Sequence, residues 1–502
     1  MTAARALLAI DQGTTGSRAL LVDREGREIA SAYREFPQHF PAPDRVEHDP
    51  EEIWASVVAV VREALARADL AARDLAAVGI TNQRETTVVW ERGSGRPAGR
   101  AIVWQDRRTA ARCAALRAAG EEERIRAATG LVADPYFSAT KLEWILESDP
   151  DLRWRAEAGD LCFGTVDAWL IHRLTGGRVH ATDHTNASRT LLYSLARGDW
   201  DPDLCALFGV PPAMLPEIRP SAAAFGELAP DLFGAAVPIH GVAGDQQAAL
   251  YGHGGTRAGE AKNTYGTGAF LVLHTGPERG PDVPGVLTTV ACGPRGEPER
   301  AYEGSILVAG AAIQWLRDGL GLLAAAEESE ALAAGVEDTG GVVFVPAFAG
   351  LGTPHWEPAA RGAVFGLTRG TERAHLVRAA LEAMAFATAE ALEAMTGPSG
   401  VRLAALRADG GAARNDWLLQ FQADVLGHEV IRPAATELTA LGAARLAGVG
   451  SGFLSGPEQP LAALGTPRRF APSREWETRR REGLARWRRA VDALLHWADG
   501  AP

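Results

Sequence analysis

Apolar residues along this chain recur with two periods. Short runs of strand length appear at "AAVGIT" (Ala76–Thr81), "AIVW" (Ala101–Trp104) and "PIHGVAGD" (Pro238–Asp245), each reading as a buried strand that ends in polar residues. Between such runs, apolar positions recur three and four apart, as at Ile53, Val57, Val60, Val61, Ala64 and Leu65, the spacing of one buried helix face. Alternation of the two periods predicts an α/β fold. The first run has an unusual joint. From Leu7 the chain reads "LLAIDQGTTGSRALLVD", two apolar strands connected through Asp11-Gln12-Gly13-Thr14-Thr15. A tight hairpin needs only two residues of the Asn-Gly or Asp-Gly kind. A carboxylate, a glycine and two hydroxyls at one tip exceed that need.

The same device returns in the second half. "AKNTYGTGAFLVLHTG", from Ala261, again joins apolar strands through a Gly-Thr turn, Gly266-Thr267 against the earlier Gly13-Thr14. Each tip is followed by a domain-sized stretch of α/β pattern, so the expectation is a duplicated fold with a cleft between its halves. The glycine-rich "YGHGGTRAGEAK" (Tyr251–Lys262) is the best linker, placing one domain over residues 1–252 and another over 261–502. Further on, "ALRADGGAARNDWLLQFQADVLGHEVIRP" predicts a strand, a Gly-Gly turn, a helix and another strand. Asn415 and Asp416 stand where that helix needs its cap, and Trp417, Phe421 and Val425 mark its inward face. Leu484, Trp487, Val491 and Leu494, with many arginines between them, predict a C-terminal helix docked on the surface.

Composition narrows the classes. A chain of 502 residues exceeds one ordinary core, which favours two domains. Its 46% hydrophobic and 23% charged residues describe a soluble globular protein. A net charge of −12 speaks against a nucleic-acid partner, although a local basic pocket for phosphate remains compatible with it. No apolar run suits a signal-peptide core or a membrane span, so the expected location is the cytoplasm. Four cysteines without a Cys-x-x-Cys pair read as buried, inert thiols. Lys141 and Lys262 are the only lysines, which leaves few candidates for a catalytic lysine. His180 and His184 have the spacing of zinc ligands but lack companions, and their segment reads as a loop. Asn186-Ala187-Ser188 matches a glycosylation sequon of little weight in such a protein.

The candidate chemistry begins with phosphate. Neither a P-loop nor a strand-linked Gly-x-Gly-x-x-Gly is present. Tight glycine turns can still hold phosphate through backbone N–H groups, and both Gly-Thr tips fit that use. Asp11 beside the first tip suits a Mg²⁺ ion that keeps most of its water, and Arg18 could add positive charge. After the strand at Ala76–Thr81 come Gln83, Arg84 and Glu85. Such a pair is either a surface ion pair or a grip on the vicinal hydroxyls of a small polyol. Trp104, Tyr136 and Phe270 are either core or a cover for a carbon backbone. Asp245, between a strand and a helix, is either a cap or a base taking a hydroxyl proton during phosphoryl transfer.

The ordered series "DQGTT…SR", "GITNQRETTVVW", "AIVWQDRRT", "DPYFSATK", "GTVDAWL", "TDHTNASRT", "GVAGDQQAAL", "NTYGTGAF", "ADGGAARN" and "LTALGAA" closely resembles the glycerol kinase family. That family is a branch of the sugar and polyol kinases, whose fold is shared with actin and the heat-shock 70 ATPases. The resemblance spans nearly the whole chain and implies two duplicated actin/ribonuclease H-like domains flanking an ATP and substrate cleft. It implies ATP-dependent phosphorylation of glycerol to sn-glycerol 3-phosphate, with glycerol and ATP as ligands and Mg²⁺ as cofactor. Thr14, Thr15, Gly16 and Arg18 would surround the nucleotide phosphates, and Asp11 would hold Mg²⁺ through water. Arg84, Glu85, Tyr136, Asp245 and Gln246 would bind the glycerol hydroxyls, with Trp104 and Phe270 walling its carbons and Asp245 as the base. Thr267, Gly310, Gln314, Gly411 and Asn415 would contact ADP or ATP. Two departures stand out. Gly16 replaces a serine common in relatives, and "DLFGAAVP" (Asp231–Pro238) lacks the arginine with which some relatives bind fructose 1,6-bisphosphate. A homo-oligomer is left open. So are two rivals, a kinase of a larger sugar or polyol and, in another class, an actin-like or chaperone-type ATPase.

Overall fold

The first hairpin forms around its apolar strands. In the computed structural model, which describes residues 5–278, 280–474 and 476–499, β1 (Ala6–Gln12) returns antiparallel as β2 (Gly16–Val22), with Asp11 opposite Arg18. β3 (Glu28–Glu35) extends the hairpin, β4 (Leu75–Asn82) runs parallel to β1, and β5 (Ile239–Gly244) parallel to β4. The sheet order is β5-β4-β1-β2-β3.

A second sheet repeats this plan from β6 (Glu260–Tyr265) and β7 (Ala269–Gly276), which pair antiparallel. With β8 (Leu287–Cys292), β9 (Pro298–Ile306), β10 (Ala405–Asp409), β11 (Val430–Arg432) and β12 (Arg468–Phe470), its order is β8-β9-β7-β6-β10-β11-β12. Without the outer strands β8 and β12, both sheets place their strands fifth, fourth, first, second, third in chain order. Both therefore carry the hairpin at the centre, with its tip at the carboxyl end of the parallel strands, where α/β sheets bind ligands.

Helices cover the sheets by the apolar faces their spacing predicts. α1 (Pro50–Arg67) starts where Asp49 accepts the Glu51 N–H and Pro50 takes the first position. Its buried Ile53, Val57, Val60, Val61, Ala64 and Leu65 lie against β2 and β3. Each buried isoleucine, valine or leucine among them contributes about 1.5–3 kcal/mol. Along the chain come α2 (Ser138–Ser148), α3 (Asp245–Gly252), α4 (Arg373–Ser399), α5 (Asp416–Leu426), α6 (Leu438–Ser451) and α7 (Trp476–Asp499). α7 docks on α4 and α5 through buried Leu484, Trp487, Val491 and Leu494, with the Trp487 indole donating to Glu390 at 3.0 Å.

α6 sits far from its neighbours in sequence. It lies on the first sheet, joining Leu7, Ala9, Leu20 and Val22 through Ala440, Leu441, Ala444 and Ala447. It also crosses α3 at Gly442, where a Cβ would lie 1.9 Å from the Ala248 carbonyl oxygen. The small residues of "LTALGAA" are what this close crossing requires.

Three readings are corrected. Only Ala101 and Ile102 of "AIVW" form strand, because the Asp106 carboxylate accepts from the Val46 and Arg108 N–H groups and draws the chain into a turn. The linker shortens to residues 253–259, since fully buried Tyr251 completes α3 and donates to the Pro294 carbonyl at 2.7 Å. The segment read as a loop holds a strand, Ala181–Asp183, and a helical turn, His184–Ala187, capped by Asp183. Its His180 donates to the Phe163 carbonyl, His184 meets the Tyr193 hydroxyl, and Asn186 is buried against Asn82. Among the described residues, no helix is long and apolar enough to cross a membrane, and all four cysteines are free and buried.

Candidate active site

Polar residues collect where β1, β4 and β5 of the first sheet end opposite the second. β4 ends at Asn82, and the next residues are tied to the first hairpin by Gln83, whose N–H reaches the Gln12 carbonyl at 2.8 Å. Glu85 takes a left-handed backbone, φ 61°, costly for a non-glycine residue and held by Ser138 and Thr87 hydroxyls donating to its carbonyl. This turn points Arg84 and Glu85 inward rather than to solvent. Arg84 is buried, with Nε 3.3 Å from Asp245, Nη1 3.2 Å from Gln247 and Nη2 3.5 Å from the Tyr136 hydroxyl. Asp245 opens α3 directly after β5, so its half-buried carboxylate faces the same space.

Aromatic rings close this space. Trp104 makes edge contacts with Tyr136, centroids 5.6 Å apart, and with Phe270 of β7, 6.5 Å apart. The Trp104 indole donates to Thr14 Oγ1 at 3.0 Å, which links the aromatic wall to the first Gly-Thr tip. Gln246 is adjacent to Asp245, and its Oε1 accepts from Lys262 of β6. Arg84 and Glu85 are buried rather than a surface pair, Tyr136 also packs against a hydrophobic cluster, and together these residues form a polar group beside aromatic rings.

The second Gly-Thr tip gathers another group. The N–H groups of Ala309 and Ala311 reach the Thr267 carbonyl at 2.8 and 3.0 Å, and Gly310 N–H reaches Gly266 at 3.0 Å. Gly310 begins a short helix, Gly310–Gln314, whose last residue is exposed. The Gly410-Gly411 turn after β10 presses against Tyr265, and Gly411 faces open space. Asn415 caps α5 by accepting the Leu418 N–H at 2.9 Å, and its amide reaches Ser329. Thr267, Gly310 and Gly411 thus share one rim. Gln314 lies a turn beyond, and Asn415 meets the rim only through the Gly-Gly turn.

At the first tip, Thr15 is exposed and Arg18 pairs with Glu437 at 2.8 Å. A Cβ on Gly16 would lie 2.5 Å from the Tyr33 hydroxyl and 2.8 Å from the Arg34 carbonyl. Glycine is therefore the residue this tip accommodates.

A model of the N-terminal domain of the FGGY family of carbohydrate kinases matches residues 6–252, and one of its C-terminal domain matches residues 261–451. The chain belongs to this family. Among curated relatives, a glycerol kinase of Thermus brockianus is 57% identical over 98% of this chain and 99% of its own length. Another from Carboxydothermus hydrogenoformans is 52% identical over 98% of each. Among solved structures, Plasmodium falciparum glycerol kinase with ADP superposes with a TM-score of 0.91 at 34% identity, covering 98% of both chains. Xylulose kinase from Rhodospirillum rubrum gives 0.87 at 25% identity, covering 99% of this chain and all of its own, 100%.

This FGGY chain also brings in charged residues that sequence reasoning did not single out. Glu303 of β9 is fully buried and takes Arg84 Nη1 and Nη2 at 2.6 and 3.0 Å. Arg189 Nη2 meets Glu303 at 2.9 Å, and its Nε meets Glu85 at 2.6 Å. Burial pushes Glu303 upward, but Arg189 and Arg84 outweigh it and hold the carboxyl at about 2. Burial lowers Lys262 to about 8, against the raising effects of Asp409 and Asp245. The available signals were faint: Arg189 lies in the quoted "TDHTNASRT", and Lys262 is one of two lysines.

The fit to a divalent cation is tested at Asp11. Burial, then Asp245 and Glu437, raise its pKa to about 7, with only Arg18 opposing. Among the described residues, no group of three His, Cys, Asp or Glu could hold a metal directly. The neighbouring carboxylates Asp11, Asp245 and Glu437 are the kind of hard oxygen donors a divalent cation takes.

Proposed function

We propose that this kinase transfers the terminal phosphoryl group of ATP to a terminal hydroxyl of glycerol. The observation that carries this reading is the pocket in which the buried Arg84–Glu85 pair, the Tyr136 hydroxyl and Asp245 meet under Trp104 and Phe270. Adjacent donors and acceptors suit vicinal hydroxyls, and rings that close over them suit a short carbon backbone. The relatives' identity as glycerol kinases supports the same acceptor.

In this reading, Arg84 and Glu85 orient the acceptor, and Asp245 takes the proton from the hydroxyl that attacks the γ-phosphorus. As that oxygen–phosphorus bond forms, the bond to the β-phosphate oxygen breaks and ADP leaves. The N–H groups of Thr14, Thr15 and Thr267, in turns closed by Gly13 N–H to Gly16 and Gly266 N–H to Gly268, hold the phosphates together with Arg18. Gly310, Gln314, Gly411 and Asn415 line the nucleoside side. Asp11 would hold Mg²⁺, which would supply charge neutralisation on the transferred phosphate. Little covalent help is needed in such transfers, so positioning and exclusion of water do most of the catalysis.

The deciding experiment measures ADP release from Mg²⁺ and ATP, with and without glycerol, and identifies the product. Glycerol-dependent ADP with sn-glycerol 3-phosphate is expected. Turnover that ignores glycerol but responds to xylulose or gluconate would reassign the acceptor. Turnover indifferent to every polyol would favour a motor-like ATPase.

A further inference from the structure

The acceptor pocket holds more charge than a grip on a neutral polyol requires. Arg84 commits both terminal nitrogens to Glu303, at 2.6 and 3.0 Å, so only its Nε edge faces Asp245 at 3.3 Å and Glu85 at 3.8 Å. Arg189 completes the pattern from the other side, touching Glu303 at 2.9 Å and Glu85 at 2.6 Å. The side chains run Asp245, Arg84, Glu303, Arg189, Glu85 in alternating charge, and all but Asp245 are buried. Arg84, Glu85, Arg189 and Asp245 come from the part of the chain before β6, whereas Glu303 stands on β9 of the second sheet.

A stabilising role alone does not account for this expense. Desolvating several charges costs as much as their attraction returns, and apolar packing would serve a core equally well. Their arrangement around Asp245 gives them a different use. A guanidinium free to present its fork to Asp245 would form a bidentate pair, stabilise the carboxylate and weaken it as a base. Glu303 occupies that fork. Arg189, with its ring contacts to Tyr136 and Phe137, holds Glu85 Oε1, the same oxygen that lies 3.8 Å from Arg84 Nε.

We infer that Glu303 and Arg189 are positioning residues for phosphoryl transfer: Glu303 holds the Arg84 fork off Asp245, and Arg189 aims Glu85 at the acceptor. This rests on the reading of Asp245 as base and of Arg84–Glu85 as the grip. Neither residue needs to touch the acceptor for this, and both act through groups that do.

The test compares wild-type protein with Glu303→Gln, Glu303→Asp and Arg189→Lys, each as the full chain. kcat and KM for glycerol are followed across pH, with ADP affinity measured by calorimetry as the check on folding. In Glu303→Gln, kcat should fall about 100-fold, the scale of a general base's contribution. The acid limb of its rate profile should move to lower pH, while ADP affinity stays within about twofold of wild type. Glu303→Asp should restore the acid limb. Arg189→Lys should raise the KM for glycerol and leave the acid limb in place. Full activity in Glu303→Gln, or a loss of activity with an unmoved acid limb, overturns the inference. If Glu303→Gln does not bind ADP, Glu303→Asp and Arg189→Lys decide: a lowered kcat without the KM rise in Arg189→Lys overturns it as well. Wild-type protein indifferent to glycerol would instead overturn the proposed function, so the two failures are distinguishable.

Discussion

Glu303 and Asp11 are carboxylates in the same cleft with opposite fates. Glu303 is fully buried, yet Arg189 and Arg84 keep it charged to about pH 2. Asp11, next to the last residue of β1, lies near Asp245 and Glu437 with Arg18 alone to oppose them, and it is raised to about 7. The proposed acceptor end balances its charges with side chains already in place. The proposed phosphate end is made of glycine turns, exposed hydroxyls and surplus negative charge. That contrast matches what each end is proposed to receive: a neutral polyol, which brings no counter-charge, and a nucleotide, which arrives with its cation.

The contrast can be broken most forcefully at the base. Asp245→Asn should lower kcat about 1,000-fold with ADP affinity nearly unchanged, measured by steady-state kinetics and calorimetry. Unchanged turnover would remove Asp245 from its role. Next in size is a pair of arginine removals. Arg84→Ala leaves buried Glu303 with Arg189 as its remaining arginine partner and should cost about 3 kcal/mol in urea unfolding, the low end for breaking a buried pair. Arg18→Ala loses only a partly exposed pair with Glu437 and should cost about 0.2–1 kcal/mol. Equal costs would mean that the two ends are not electrostatically different.

The pH response sharpens the same point. Folded Asp11 keeps its proton up to about pH 7, whereas the unfolded chain releases it near 3.8. The folded state binds the extra proton between those values, so this group's contribution to stability falls as pH rises through 7. The melting temperature of wild type minus that of Asp11→Asn, without nucleotide, should therefore decline from about pH 4 to pH 7. Mg²⁺ with ADP should flatten the decline, and a flat difference without them would refute the assignment. Gly16→Ala probes the packing of the first tip. Its methyl meets Tyr33 and the Arg34 carbonyl, so a loss of about 1–3 kcal/mol is expected. Adding Tyr33→Ala should recover part of it, as thermal denaturation would show.

Much of the site was legible because strand ends are legible. Arg84, Glu85 and Asp245 each follow an apolar run, and a polar residue there sits at the ligand-binding edge of an α/β sheet. The Gly-Thr tips were visible through their excess of functional groups over what a turn needs. Glu303 was not. Inside "AYEGSI" a lone acid reads as the solvent face of a strand, yet here Arg84 and Arg189 from the earlier part of the chain cover that face. Tyr33 was equally silent, since nothing in its own strand marks it as the reason for Gly16.

By itself the sequence determined what depends on neighbours along the chain: the periods that form the strands and helices, the capped starts of α1 and α5, and the two tips with their glycines. Only the tertiary structure decided which charges meet. Arg84 and Glu303 are 219 residues apart, and α6 crosses to the first sheet from the far end of the chain. Secondary structure follows local periodicity, whereas charge pairing acts through space, and no spacing in sequence encodes a distance that exists only after two sheets have packed.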